Sequence, residues 1–402
     1  MTDPIDATQV PETTNNHAMQ LIGDIRFAAP PHTNIDWDLL NAFVAQCPAN
    51  TLRALRNDFE TFDLWCRRSS LPALPSEPAT IAAYLNHRAE QGAKTASLSR
   101  YVASIAKIHR LLDLSDPTKN ETVRLTLYGL RRKNGSVQNQ AKALRFKGDV
   151  KNVLRDKPRG IAIKQLLEAC GDNLIGLRNR ALLSVAYDTG LRRSELVAVQ
   201  LDDIMPALDA DARLLNISRT KGDQIGEGAT AYLSPRSVKA IEAWTQAGEI
   251  KTGPLFRRVR VWHRKAKPAH PGINMRDLSG RAIWDQRKRY PKAAVPTRTT
   301  YRVGDEALHP GSIPPIFKRA VQDTFDRGLL PDFDKNSIKD AVAAISSHST
   351  RVGLTQDLFS VGEDIGAIMD ALRWQSEKMP LRYNRKLAAE AGAAGRLLGQ
   401  LR

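Results

Sequence analysis

Four short segments in the second half of the chain carry side chains that could bind an anion and attack it. They combine guanidinium, amine, imidazole and phenol groups: Asp188–Leu196, Arg219–Gly222, Ser347–Gly353 and Leu372–Tyr383. Arginine and lysine bind anionic oxygens, and a tyrosine oxygen becomes a nucleophile once a base removes its proton. The segments therefore indicate chemistry on an anionic substrate.

Each segment has a simpler interpretation when it is taken alone. Arg192 follows a glycine at a predicted helix end, where a structural ion pair with Glu195 would explain it. Lys221 stands in a turn after a strand-like run, as an exposed hairpin lysine would. His348 and Arg351 are three residues apart, which lets both reach one anion from one helix face, but this spacing also arises by chance.

The order of these residues along the chain changes the interpretation. Trp374 alone would be a core residue, and Tyr383 a half-buried phenol. The complete series follows the chain order and local motifs (GLRRSEL, TK at a hairpin, HSTRVG, a late tyrosine) of a known catalytic set: Arg192, Glu195, Lys221, His348, Arg351, Trp374 and Tyr383. From about residue 36 onward the chain resembles the tyrosine recombinases of the phage integrase family. Trp374, where many relatives have histidine, and the ending LRYNRKLAAEAGAAGRLLGQL bring it closest to the Cre type.

The resemblance implies an enzyme that cleaves and rejoins duplex DNA through a 3′-phosphotyrosine intermediate and a Holliday junction. Tyr383 would be the nucleophile. Arg192 and Arg351 would clamp the scissile phosphate, because arginine donates two parallel hydrogen bonds to phosphate oxygens. Lys221 would protonate the leaving 5′ oxygen. Neither a cofactor nor a metal ion is implied.

Three further residues complete the implied site. His348 would donate to the phosphate and accept or pass on the tyrosine proton, and Trp374 would donate its indole N–H while packing the pocket. Glu195 would orient its neighbours.

The implied partners are double-stranded DNA with an inverted-repeat site and further copies of the chain, two on one site and four in a synapse. An apolar C-terminal helix, 386–402, would dock into a neighbouring subunit, although it could instead fold back on its own domain. Gly311, Pro314 and Pro315 stand where base-contacting side chains are expected, so the recognised sequence should differ from that of relatives. The candidate DNA contacts are Arg53, Arg56, Arg100, Lys107, Lys318 and Arg319.

Two other classes of protein remain open. A type IB topoisomerase shares the chemistry but would relax supercoils without a target site. A non-enzymatic DNA-binding protein would explain the charge and the helices but would not need Tyr383 in series with the cationic residues.

Composition agrees with a nucleic-acid partner. The 402 residues contain 60 Lys and Arg against 43 Asp and Glu, a net charge of +17, which favours a polyanion and nucleic acid ahead of an anionic membrane. No stretch reaches the roughly 20 apolar residues that span a bilayer, and the N-terminus lacks a signal peptide pattern. Cys47, Cys66 and Cys170 stand in apolar contexts, which indicates reduced cytoplasm without disulfides or zinc.

Hydrophobic periodicity predicts two mainly α domains. Residues 1–33 are predicted to be a disordered tail, and 34–133 a helical bundle, the core-binding, SAM-like domain of the resemblance. Its helices centre on Leu40, Phe59, Tyr84, Ile105 and Val123. The polar, basic segment 134–159 is predicted to be a linker.

The second domain, 160–402, is predicted to be a mostly helical catalytic domain with a small antiparallel sheet formed by RLLNISRT and ATAYLS. Its predicted helices cover 163–170, 175–188, 235–247, 312–328, 337–358, 362–371 and 376–400. An insertion near 257–311 has two interpretations. It is either a solvated loop or an extra contact with the DNA backbone, since RRVRVWHRKAK interleaves cations with an aromatic.

Overall fold

The computed structural model describes residues 12–33, 35–135, 140–218, 228–269, 291–391 and 401. The chain divides into two compact units, Met1–Asn139 and Gln140–Arg402. Within the described residues both units are mainly helical, and the strands lie in the second. The predicted fold class, mainly α with small antiparallel sheets, is confirmed. No helix in these ranges is long and apolar enough to cross a bilayer.

The first unit is a bundle of helices around an aromatic core. Its helices are α1 (Glu12–Ala28), α2 (Trp37–Gln46), α3 (Ala49–Arg68), α4 (Pro78–Glu90), α5 (Thr95–Leu111) and α6 (Glu121–Asn134). Helices α2 to α6 follow the apolar spacing of the sequence. Phe59, Phe62 and Tyr84 are buried, and the rings of Phe62 and Tyr84 meet edge-on with centroids 5.0 Å apart. The cysteines Cys47 and Cys66 are buried in the same core.

Helix α1 corrects the prediction of a disordered tail over residues 1–33. Leu21 and Ile25 are fully buried, and α1 packs along α3. Asp24 of α1 also accepts a hydrogen bond from Arg56 at 2.9 Å. The prediction is therefore wrong for Glu12–Ala28, because polar composition obscured a short apolar stripe that finds a partner on α3.

The second unit contains two small antiparallel sheets among helices. Its helices are α7 (Ile163–Ala169), α8 (Leu174–Thr189), α9 (Arg193–Ala198), α10 (Pro235–Ala247), α11 (Ile313–Asp326), α12 (Lys335–Ala344), α13 (Ser349–Val361), α14 (Ile365–Leu372) and α15 (Lys378–Ala391). Strands β1 (Ile204–Pro206), β2 (Arg213–Ile217) and β3 (Ala229–Leu233) form one sheet in that order, and β4 (Arg257–Arg264) pairs with β5 (Arg298–Ala307). The predicted pairing of RLLNISRT with ATAYLS is confirmed as β2 with β3.

The segment predicted as a linker, 134–159, is partly packed into the second unit. Leu144 is fully buried, and Arg145 pairs with the buried Asp357 at 2.6 Å. The same carboxylate accepts from the backbone N–H of Phe146 at 2.7 Å and from the Tyr187 hydroxyl at 2.6 Å. The linker prediction is wrong for these residues, because a buried carboxylate on α13 fixes a polar, basic stretch in place.

The predicted single helix over 337–358 is two helices. The chain leaves helical geometry after Ala344 and re-enters it at Ser349. Ser346 and Ser349 hydrogen-bond across the break, since the Ser349 hydroxyl accepts from the Ser346 backbone N–H at 2.9 Å. Serine hydroxyls compete with helical hydrogen bonds in this way, and apolar spacing alone does not report it.

Candidate active site

The turn after α8 positions the first arginine of the predicted set. Helix α8 ends at Gly190, whose φ of 56° lies in the left-handed region. A Cβ at this position would also overlap the side chain of Leu372. Glycine is therefore required both for the left-handed backbone conformation and to avoid a clash with Leu372. The chain then continues to Arg192 at the N-cap of α9.

Arg192 and Glu195 form an ion pair at this turn. Nη1 of Arg192 lies 2.7 Å from Oε1 of Glu195, and the Arg192 backbone N–H donates to the other carboxylate oxygen at 2.8 Å. Burial alone would raise the pKa of Glu195, but the N–H, the Arg192 guanidinium and the charge of Arg351 together lower it. The carboxylate is ionised and orients Arg192, so the ion pair is present, and it leaves the catalytic role of Arg192 a prediction.

Arg351 is the buried cation of the site and extends from the first turn of α13. Its Nη1 donates to the carbonyl oxygen of Gly190 at 2.7 Å, and its Nη2 donates to that of Leu372. The guanidinium carbon lies 4.9 Å from the centroid of the Trp374 ring. Two carbonyl groups and one aromatic face therefore fix the guanidinium between the ends of α8 and α14.

Gly353 allows α13 to pack closely against the chain that enters the second unit. A Cβ there would overlap the carbonyl group of Leu144. The glycine of the HSTRVG motif thus sets the position of the helix that carries Arg351.

Arg192, Arg351 and Arg373 lie close enough to influence one another, and the carboxylate of Glu195 acts on all three. Burial first, and then the charges of Arg192 and Arg373, lower the pKa of Arg351 to about 9. This value lies above neutrality, so the guanidinium stays charged in spite of the repulsion. Glu195 offsets only part of it. The site has an excess of positive charge that a bound phosphate would relieve.

Arg373 belongs to this cluster, and the sequence analysis did not single it out. It follows α14 in the left-handed conformation, with φ 54° and ψ 51°. Its Nη2 donates to the carbonyl oxygen of Thr189 at 2.6 Å, and burial lowers its pKa. An arginine at a helix end directly before Trp374 was the available signal.

Trp374 and Tyr383 bring the nucleophile candidate to the arginine cluster. Their ring centroids are 5.6 Å apart and their planes meet at 63°. The carbonyl oxygen of Tyr383 accepts from Nε2 of Gln356 at 2.9 Å, which ties α15 to α13. Burial raises the pKa of Tyr383, although the charges of Arg351 and Arg192 oppose the rise. The phenol is therefore protonated at neutral pH and needs a base.

His348 lies in the turn immediately before α13, so the prediction of one helix holding both His348 and Arg351 is wrong by one residue. The side chain is exposed by its accessible area, yet neighbouring atoms exclude part of its water. This desolvation and the charges of Arg351, Arg192 and Arg193 lower the pKa of His348. The imidazole is neutral at pH 7 and can accept a proton.

The structure brings six of the seven predicted residues into one electrostatically connected cluster: Arg192, Glu195, His348, Arg351, Trp374 and Tyr383. Lys221 lies outside the described residues. In the described ranges no group of three His, Cys, Asp or Glu side chains is placed to hold a metal ion. The arrangement places guanidinium groups, which bind phosphate oxygens, near an aromatic pair that includes the phenol of Tyr383.

Two of the predicted DNA contacts in the first unit already have carboxylate partners. Arg56 pairs with Asp24 at 2.9 Å, and Arg100 pairs with Asp58 at 3.0 Å. A contact with DNA would have to compete with these pairs.

The other candidate DNA contacts differ in exposure. Arg53 is exposed on α3, and Nζ of Lys107 lies 4.4 Å from the centroid of a phenylalanine ring. Arg319 is exposed on α11, whereas Lys318 is half-buried. Arg53, Arg100 and Arg319 are thus the exposed residues of the six, and Arg100 is paired with Asp58.

Comparison with known proteins identifies similar sequences over most of the chain. Residues 160–272 match the model of the phage integrase family. The chain is 26% identical over 353 residues to Recombinase cre of Escherichia phage P1, covering 87% of this chain and 88% of that protein. It is 29% identical over 219 residues to the integrase/recombinase xerD homolog of Selenomonas ruminantium, covering 52% of this chain and 60% of that protein. A crystal structure of XerH site-specific recombinase bound to palindromic difH substrate superposes with a TM-score of 0.48 at 13% identity, covering 98% of this chain and 99% of that one.

Proposed function

We propose that this chain is a tyrosine recombinase of the phage integrase family, an enzyme that cuts and rejoins DNA in site-specific recombination, and that Tyr383 is its nucleophile. The observation that carries this proposal is the excess of positive charge around a protonated phenol. The carboxylate of Glu195 acts on Arg192, Arg351 and Arg373, Asp370 acts on Arg373 as well, and Tyr383 lies within the field of Arg351 and Arg192. Such a site stabilises the extra negative charge that a phosphodiester gains during transfer.

The first transfer step joins protein to DNA. The Tyr383 oxygen attacks the scissile phosphorus, a P–O bond to tyrosine forms, and the bond from phosphorus to the 5′ oxygen breaks. His348 takes the phenol proton, because it is neutral at pH 7 and is held beside Arg351. Lys221 gives a proton to the leaving 5′ oxygen. The product is a 3′-phosphotyrosine with a free 5′ hydroxyl.

The second step reverses the first with a different strand. A 5′ hydroxyl from the partner DNA attacks the phosphotyrosine, so the energy of the phosphodiester bond is conserved. Repetition on the second strand pair resolves a Holliday junction. Arg192 and Arg351 bind the non-bridging oxygens in both steps, and Trp374 holds Arg351 in place by stacking.

The substrate proposed for this chemistry is duplex DNA with an inverted-repeat site, bound by two copies of the chain and paired in a four-subunit synapse. The C-terminal segment 386–402 links the subunits; most of it lies outside the described residues. Phosphate contacts supply most of the affinity, and Arg53 and Arg319 are exposed candidates for further contacts. The protein acts in the cytoplasm of a bacterial or phage-infected cell, at the nucleoid.

A covalent-trapping experiment tests the nucleophile. The Tyr383→Phe protein first selects its binding site from a random duplex pool, since the substitution keeps the ring. A nicked version of that site should then give a protein–DNA adduct on denaturing gels with the wild-type chain and none with Tyr383→Phe. Tyr232→Phe is the matched control, because Tyr232 is an exposed tyrosine of the same unit. An adduct that survives in Tyr383→Phe would refute the assignment.

A further inference from the structure

The β4–β5 ribbon presents two different faces. Val259 lies opposite Val303 at its base, and both pack against the core of the second unit. Leu255 and Phe256, just before β4, are fully buried. The ribbon is therefore anchored by one apolar face, and its other face points away from this core because side chains alternate along a strand.

The outward face of the ribbon is cationic. Arg260 lies opposite Arg302, and Arg264 lies opposite Arg298. All four arginines are exposed. Trp262 lies between the two pairs and is 49% exposed.

Arginines directly opposite one another repel, because cross-strand Cβ atoms are only about 4.5–5.5 Å apart. Among the described residues none of the four arginines pairs with a carboxylate. The acidic residues of the described strands, Asp305 and Glu306, lie near the base of the ribbon, where Asp305 contacts Arg257 at 3.8 Å. A face built in this way is unfavourable in isolation, and a bound polyanion would remove the repulsion.

We propose that this face of the β4–β5 ribbon binds the sugar–phosphate backbone of duplex DNA, as a second DNA-binding surface separate from the active site. The two arginine pairs are four residues apart, which is about 13 Å along a strand and spans several phosphates of one DNA strand. Guanidinium groups bind phosphate oxygens with paired hydrogen bonds, and Trp262 offers an apolar surface to the sugars. The contact does not depend on base sequence. This proposal deepens the recombinase function and does not depend on the assignment of Tyr383.

Salt dependence of DNA binding measures this contact directly. Binding of the full chain to a fluorescent 40-base-pair duplex of arbitrary sequence is titrated from about 50 to 200 mM salt for wild type and for Arg260→Gln/Arg302→Gln. The slope of log K against log salt is negative, and each lost phosphate contact reduces its magnitude by about 0.9. The slope of the double variant should therefore be smaller in magnitude by about 1.8. The loss of DNA affinity of the double variant relative to wild type should therefore be about twelvefold larger at 50 mM salt than at 200 mM.

The melting temperature of the DNA-free protein separates binding from a structural role. Removing a repulsive pair should leave the melting temperature unchanged or raise it, whereas a structural role predicts a decrease. Arg260→Lys/Arg302→Lys keeps the charge and should keep most of the slope. Lys239→Gln/Lys251→Gln removes two charges from other exposed positions of the unit and should leave the slope unchanged.

Three results would overturn the proposal. The first is an unchanged slope in Arg260→Gln/Arg302→Gln, which would leave a solvated loop or a protein partner. The second is an equal loss of slope in the Lys239 and Lys251 control, which would show a general effect of net charge. The third is a lowered melting temperature that accompanies the loss of binding. None of these results bears on covalent trapping at Tyr383, so the two proposals fail separately.

Discussion

Gly190→Ala should destabilise the second unit and disrupt the active site together. An alanine at φ 56° incurs about 1–2 kcal/mol for the left-handed backbone. Its Cβ overlaps Leu372, and overpacking of a core costs about 1–3 kcal/mol. The sum is about 2–5 kcal/mol, which lowers the melting temperature by about 4–20 °C for a unit of this size.

Gly328→Ala is the matched control for the backbone part of this effect. Gly328 has a φ of 75° and no atom within 4 Å of the position of a Cβ, so only the conformational cost of about 1–2 kcal/mol applies. The difference between the two variants isolates the clash with Leu372. In a double-mutant cycle, Leu372→Ala should recover about 1 kcal/mol of that clash, because it vacates the overlapped volume.

The cleavage activity of Gly190→Ala should also be reduced by the clash with Leu372. The Gly190 carbonyl oxygen accepts from Arg351, so a displaced turn moves the guanidinium, and a shift near 1 Å costs roughly 100-fold in rate. Covalent adduct formation is measured well below both melting temperatures. Equal destabilisation of the two glycine variants, or full cleavage by Gly190→Ala, would refute the reasoning.

The remaining predictions concern protonation and assembly. Because desolvation and neighbouring cations lower the pKa of His348, the acid limb of the cleavage rate should lie below pH 6.5; Arg193→Gln removes one cation, raises that pKa and should move the limb to higher pH, whereas an unmoved limb would exclude His348 as the base. Truncation after Lys386 should leave the melting temperature and half-site binding largely intact but abolish four-subunit synapsis in gel-shift titrations; unchanged cooperativity would show that the segment packs on its own subunit.

Most of the residues that the structure brings together could be identified from the sequence because they stand in local motifs, whereas their catalytic roles stay predictions. GLRRSEL contains Arg192 and its partner Glu195 within one turn, and HSTRVG contains His348 and Arg351. The motifs did not predict which contacts orient the side chains at these turns. The Gly190 carbonyl oxygen that orients Arg351 belongs to a residue 161 positions earlier, and such a contact has no signature in local spacing.

The errors in the predicted fold also arise from contacts between residues that are distant in the sequence. Helix α1 was missed because Leu21 and Ile25 stand among polar residues in the sequence. Their role as core residues is visible only in the structure, where α1 packs against α3. The break at Ser346 was missed because apolar spacing continues across it. Arg373 was overlooked because its place in the cluster depends on a contact with the carbonyl oxygen of Thr189, which lies 184 positions earlier in the chain.

The buried carboxylate of Asp357 also determines when the second unit can fold during synthesis. Its partner Arg145 lies 212 residues earlier in the chain, so the ribosome makes one half of the pair about 10–40 s before the other at 5–20 residues per second. Throughout that interval Arg145 lacks its acceptor, and the hydroxyl of Tyr187 lacks the same acceptor for the last 170 residues of it. Arg373, Trp374 and Tyr383 are translated later still. A nascent chain that ends before Tyr383 therefore lacks the proposed nucleophile, and we expect it not to cut DNA.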